Sequence, residues 1–418
     1  MILIKQAKIL DEYSDHHDTI QDILIEDGII KKIASNISED QQIEHIINVE
    51  GLHISIGWID SSVCSGEPGF EERQTLKNLV NAASIGGFTT VLLNPNNQPN
   101  PEEGSQIKSL KNYLSDQPVD LIPIGSLTLS QKGEHLAELY DMKEAGAAGF
   151  YDFKKSITNA NLMKVALQYS TGFNAVIQSY PENSDLAGKG MVNEDSTTAL
   201  LGLKSKPAMA ETVQVARDLQ ILSYTGGLLH FPTVSLSESV NLIDEARSQG
   251  LSASCSVSIN NLLLDSQSLL GFEANFKLDP PLRNEEEKLA LVQDVKSGKV
   301  QMVTSDHIPL DIEHKKLEFD RAKSGATAIE VTFKALNAVI DTCTSVKLLT
   351  GAYDVFPIER PRIQVNQKAV ITMFTDSEND TITSTDLVST SKNCALLGCK
   401  TRGRVLGIIN GKKIKIYE

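Results

Sequence analysis

The side chains of this sequence best suited to chemistry lie far apart, and each one closes or interrupts an apolar run. Asp60, Cys64 and Glu67 fall within ISIGWIDSSVCSGEPG (Ile54–Gly69), and Asp152 ends AGAAGFYD just ahead of Lys154 and Lys155. His230 lies inside LLHFPTVS (Leu228–Ser235), and Asp306 stands beside His307 in VTSDHIPL (Val303–Leu310). Thiolate, carboxylate and imidazole ligate zinc, and a catalytic zinc takes about three such protein ligands and keeps one position open. All of the residues just named except the lysines are of these types, whereas Ser and Thr hydroxyls are neutral and poor donors at physiological pH. Each residue also has a plain reading. A single acid without neighbouring histidines is an ordinary loop aspartate, His230 within an apolar strand is a satisfied core residue, and the two lysines are solvated.

Any such chemistry depends on elements that bring these positions together. Short apolar runs that read as buried parallel strands occur at 54–60, 89–94, 121–127, 148–152, 175–179, 228–233, 251–257 and 301–306, which makes eight. Helical patterns separate most of them, at 75–84, 136–145, 209–222, 237–249 and 285–297. Eight strands with intervening helices predict an α/β fold, a (β/α)8 TIM barrel, whose chemistry sits at the C-terminal strand ends. No glycine-rich phosphate fingerprint follows the first strand, as a doubly wound sheet would require. Both chain ends are β-rich and carry hairpin signals, Asp27-Gly28 and Asn410-Gly411. Neither end can bury a face alone, so the two are expected to combine into one small β domain. The expected organisation is residues 1–52 and 351–418 in the β domain and 53–350 in the barrel.

Composition excludes several classes of function. With 39 basic and 54 acidic residues the formal charge is −15, and no basic tract offsets it. Nucleic acid and anionic membrane surfaces are therefore poor partners. The first residues, MILIKQAKIL, do not read as a secretory signal, and no stretch reaches the roughly 20 apolar residues of a membrane span. The five cysteines include no CxxC pair and form an odd set, which suits a reducing cytoplasm.

Taken in order, the motifs resemble those of dihydroorotases, members of the amidohydrolase superfamily. The first resembles GxIDxHVHxREPG, and GGFTTVLLNPNNQP (Gly86–Pro99) resembles GGFTTVxxMPNTxP. NFKLDPPLR (Asn275–Arg283) is similar to NLKxNPPLR, VTSDHIPL to IATDHAPH, and FDRAKSGATAIE (Phe319–Glu330) to FDxAPxGxxGLE. The resemblance spans the chain from near Ile2 to the C-terminus and implies the barrel fold. It also implies a zinc-dependent interconversion of N-carbamoyl-aspartate and dihydroorotate in pyrimidine synthesis. On this alignment Asp306 takes the position of general base and metal ligand, and Asn96, Asn275 and His307 take substrate-contacting positions. Asn96 also reads as a turn former in an Asn/Pro-rich loop.

The departures from the family pattern are concentrated. Zinc-histidine positions carry Ser62, Cys64, Ser179 and Thr233, the carboxylate-binding arginine has become Gly66, and a later histidine is Leu310. Asp152 remains at the position of a metal-bridging aspartate, and Lys154 and Lys155 do not align with a bridging role. The expected reading is a catalytically silent homologue without zinc, a homodimer or larger homo-oligomer that organises aspartate transcarbamoylase as inactive members of the family do. The alternatives are an active dihydroorotase or other cyclic-amide amidohydrolase with a reduced one-metal site built from Cys64, Asp152 and Asp306, and a metabolite-binding module that uses the same pocket.

Overall fold

The computed structural model describes residues 1–39, 43–113 and 116–417. Eight short parallel strands form the barrel: Trp58–Val63, Phe88–Leu93, Asp120–Pro123, Gly149–Phe150, Val176–Gln178, Leu228–Phe231, Ala253–Ser258 and Met302–Thr304. They pair as a set of three and a set of five, and parallel bridges Gly125–Phe150 and Val63–His307 close the two seams into a cylinder. Each of the eight runs expected from the sequence overlaps one of these strands. The strands read as continuous apolar runs because both faces are covered, by side chains inside the barrel and by helices outside.

The outer helices follow the expected pattern, with further helices added. Gly104–Asn112 and Ala160–Thr171 are helical although the sequence reading did not assign them. Gly104–Asn112 carries few apolar residues and buries only Gly104 and Ile107, so its periodicity is faint. Asn159 caps the other helix by accepting from the backbone of Asn161 and Leu162.

The two chain ends share one sheet. Strands run in the order Lys413–Ile416, Lys400–Asn410, Val370–Thr381, His53–Ile56, Ile2–Ile9, Ile20–Glu26 and Ile29–Ala34, and His45–Ile47 also pairs with Ile2–Ile9. Antiparallel pairing of His53–Ile56 with Val370–Thr381 joins the halves, in the register Ile371 to Ile56. The strand His53–Ile56 thus lies in the terminal sheet, whereas its sequence places it in the barrel. Conversely, residues 388–393 leave the terminal sheet and settle on the barrel. Glu330 accepts from the backbone of Val388 and Ser389, and Asn393 Nδ2 donates to the carbonyls of Ile308 and Gly325. Trp58, fully buried, packs its indole on Phe333 and Phe374 with ring centroids at 4.6 and 5.3 Å, tying the start of the barrel to the terminal sheet.

Candidate functional site

Backbone register at the barrel's closing seam creates the site. Cys64 N donates to His307 O at 2.8 Å and His307 N to Ser62 O at 3.2 Å, so the first and eighth strand ends lie side by side. Ser62 Oγ then donates to Asp306 Oδ1 at 3.2 Å. From the second strand, Asn94 Nδ2 donates to Ser62 Oγ at 3.1 Å and contacts Cys64 Sγ at 3.7 Å. From the fourth, Lys154 Nζ reaches Asp306 Oδ2 at 2.7 Å and also donates to the carbonyl of Asp279. Beneath them Asp60, wholly buried, accepts from the backbone of Ser62 and Ser305 and from Thr304 Oγ1, and burial pushes its carboxyl up to about 6. This hydrogen bonding explains why Asp60 persists in the motif: it ties the first strand to the eighth.

The other expected positions are engaged elsewhere. Asp152 accepts from the backbone of Leu127 and Thr128 at 3.0 and 2.9 Å and from the Thr128 hydroxyl, so it shapes a turn. Ser179 Oγ donates to Asp218 at 2.6 Å, and Asp218 is held in turn by Arg217 and Gln214. Thr233 is buried with its hydroxyl unpartnered and its backbone at φ 55°, left-handed and strained for a β-branched residue. Glu67, which matches the family pattern, caps the helix Leu76–Ile85 through the Leu76 amide.

His307 is completely buried. Its Nε2 bonds Gln74 Oε1 at 2.8 Å and its Nδ1 faces the amides of Ala328 and Ile329 at 3.3 and 3.4 Å, so the ring is spent on structure. Burial holds it down at about 4, which keeps the ring neutral. As folded, it offers no nitrogen to a substrate. Asn96 is half-buried with Oδ1 unpartnered, and its Nδ2 lies 3.5 Å from Ser65 O. Asn275 lines a separate cavity of about 590 Å³ with Leu310, Lys315 and Asn393, whose lining does not include Ser62, Cys64 or Asp306. The sequence grouped Asn96, Asn275, Asp306 and His307; only Asp306 belongs to the polar cluster at the seam.

Two side chains of that cluster escaped the sequence reading. Lys154, read as solvated, is largely withdrawn from water at 11 % side-chain exposure. A Lys-Lys pair gives no local sign of burial. The left-handed turn at Lys154, φ 51°, and a partner 152 residues away decide it. Asn94 sat two positions from the asparagine that was singled out. Lys155 is exposed, as expected.

His230 matches its plain reading. Both ring nitrogens meet hydroxyls, Ser254 at 2.9 Å and Ser256 at 3.3 Å, and burial alone pushes the ring down to about 3 from 6.5. A depressed histidine contributes stability that is complete above pH 6.5 and is lost as pH falls towards 3. Between pH 7 and pH 5 the protein is expected to lose about 2 kcal/mol more than its His230→Gln variant. Urea unfolding of both proteins at the two pH values checks this, and parallel losses would contradict it.

The zinc implied by the resemblance does not suit these donors. Among the described residues, no group of three or more His, Cys, Asp or Glu side chains is placed to hold a metal ion. Cys64 packs with Ile308 and Leu310, and burial pushes its thiol far above the usual range, so a neutral SH faces an apolar cluster. Asp152 is committed to its turn, and one oxygen of Asp306 faces an ammonium. The set Cys64, Asp152 and Asp306 thus fails to converge. The arginine position is closed as well: a Cβ on Gly66 would lie 1.9 Å from Phe70 O.

Residues 52–239 match the family model described as dihydro-orotase-like. The chain is 33% identical over 426 residues to a dihydroorotase of Caldicellulosiruptor saccharolyticus, with 99% of this chain and 98% of that protein covered. A dihydroorotase of Geobacter metallireducens is 30% identical over 428 residues, with coverage of 100% and 99%. Among solved structures, L-hydantoinase (dihydropyrimidinase) from Arthrobacter aurescens matches with a TM-score of 0.86 at 18% identity, covering 100% of this chain and 97% of that one. That likeness is one of fold, the amidohydrolase barrel with its added β domain. No helix among the described residues is long and apolar enough to cross a membrane.

Proposed function

The chain belongs to the dihydroorotase family, and from that premise we propose that it serves pyrimidine biosynthesis without catalysing ring opening, as an organising partner of aspartate transcarbamoylase. Relatives named dihydroorotase, matched along their whole length, support the pathway. The observation that carries the silent reading is the seam cluster. Where the family resemblance calls for histidines around a metal, Ser62, Cys64 and Lys154 surround Asp306.

Ring opening of a cyclic amide needs an activated water and a polarised carbonyl. Asp306 is the one residue of the cluster placed to act as a base, and its two oxygens already face Ser62 and Lys154. It is a vestige of a general base. A fold kept whole around a dismantled centre fits a protein retained for assembly. Five free cysteines suit the cytoplasm as the site of that assembly, and a homo-oligomer is the form in which we expect the protein to present its surface.

Mixing the purified protein with aspartate transcarbamoylase from the same source should give a stable complex by size-exclusion chromatography with light scattering. Recovery of this protein only as a free homo-oligomer, with the partner in excess, would overturn the assembly role.

A second reading draws on the 590 Å³ cavity beside Asn275, which is large enough to take a metabolite. Titration with dihydroorotate or N-carbamoyl-aspartate, read by calorimetry, separates it from pure scaffolding.

A further inference from the structure

We propose that the Lys154 ammonium is an internal cation that takes the place of a divalent metal at the barrel mouth and keeps the site closed to one. The inference rests on the metal-free reading of the site, but it concerns what replaced the metal.

Electrostatics begin with Asp306. Its side chain is only 9 % exposed, and a carboxylate so withdrawn is costly unless something positive meets it. In a metal-dependent barrel the ion does this. Here Nζ of Lys154 lies 2.7 Å from Oδ2, while Ser62 Oγ supplies Oδ1 with a hydrogen bond at 3.2 Å. The ammonium spends a second proton on the Asp279 carbonyl, and the Phe153 ring centroid lies 5.8 Å from it. A cation is thus enclosed by a carboxylate, a carbonyl dipole and a π face, and each of these favours positive charge.

The backbone supports the same conclusion. Lys154, Thr233 and Asp306, just beyond the fourth, sixth and eighth strands, all adopt left-handed conformations, φ 51°, 55° and 48°. Such strain persists where the surroundings over-determine it, and it clusters at functional sites. Two of these positions, Thr233 and Asp306, are metal-ligand positions by the family resemblance. The third carries the lysine. The strand ends have kept a ligand-presenting shape, and the strained turn at Lys154 delivers an ammonium to the carboxylate that this shape presents. An ordinary buried ion pair would have no bearing on metal. This one sits on the carboxylate at a metal-ligand position, so a divalent ion could reach Oδ2 of Asp306 only by displacing the ammonium.

The test combines metal content with stability, so its failure is distinguishable from failure of the silent-partner reading, which is judged by turnover and complex formation. Zinc is measured after dialysis against zinc and then buffer, on Ser62→His/Cys64→His with Lys154 present and with Lys154→Ala added. Two imidazoles plus Asp306 make three ligands, enough for an open zinc site. The expected result is substoichiometric zinc in the double variant and about one zinc per chain in the triple. Equal uptake by both, or none by a folded triple variant, would overturn the proposal.

A double-mutant cycle on the otherwise unaltered protein keeps the question open to test if the histidine variants do not fold. Lys154→Met is expected to lower Tm by roughly 5–10 °C, because it strands Asp306, and adding Asp306→Asn should restore most of that loss. Losses that simply add would show that Lys154 does not balance Asp306, and the proposal would fall.

Discussion

Purified protein supplied with zinc is expected to open dihydroorotate no faster than buffer alone, and to remain so across pH 6–9. In a zinc-dependent amidohydrolase the metal does two things: it lowers the pKa of its bound water to about 7 and polarises the scissile carbonyl. Neither is available from a seam of Ser62, Asn94, Cys64 and Lys154 around one carboxylate. If Asp306 were released from Lys154 it could act as a general base, a contribution of roughly 10²–10⁴-fold. Enzymatic accelerations run from about 10⁶-fold upward, so the shortfall is at least about two orders of magnitude. The carboxylate-binding arginine that the family resemblance expects is absent as well, since a side chain at Gly66 would strike the Phe70 carbonyl. An ultraviolet assay of dihydroorotate loss, paired with elemental analysis of the same sample, checks both halves. Zinc-dependent turnover would return the protein to the enzymes of its family.

The second large effect concerns stability and lies in the NFKLDPPLR motif. Arg283 is expected to be indispensable to the fold although it does no chemistry. Its Nη2 pairs with Glu211 at 3.2 Å, its Nη1 donates to Asn193 at 2.7 Å and its Nε to Ser235 at 3.0 Å, with both charged residues at most 5 % exposed. Glu211 in turn accepts from the backbone of Ser235 and Leu236, just ahead of the helix Ser237–Ser248. Arg283→Met would leave that carboxylate buried without its counter-charge, a loss of about 3–5 kcal/mol. Glu211→Gln made with it should recover a large part, because the remaining amide keeps an acceptor for the two backbone donors. Chemical denaturation of the single and double variants measures both. A loss below about 1 kcal/mol for Arg283→Met would show that the pair is solvated in solution.

These expectations separate what is local in this protein from what is not. The barrel was legible because buried parallel strands have a one-dimensional signature. Apolar runs such as FTTVLL (Phe88–Leu93) need no partner to be recognised. The hairpin turn at Asp27-Gly28 was legible for the same reason: its positive φ values, 52° and 79°, are a property of two adjacent residues. The replacement of the expected zinc histidines by Ser62, Cys64, Ser179 and Thr233 was legible too, since it is written in the residue types themselves.

The roles of the surviving polar residues were not legible, because each depends on a partner brought near only by barrel closure. Asp152 reads as a retained metal carboxylate or as an ordinary loop aspartate, and the amides of Leu127 and Thr128 at the adjoining strand end decide for the turn. His307 reads as a substrate contact, but Gln74, 233 residues away, takes one of its nitrogens. Lys154 reads as solvated, but its left-handed backbone turns the ammonium onto Asp306. Residue types and their order determined the architecture and put serine, cysteine and threonine where the family resemblance expects zinc histidines. Tertiary structure alone decided which charges meet, because a buried charge is settled by the nearest opposite charge or dipole in space, and here those neighbours lie many residues away in the chain.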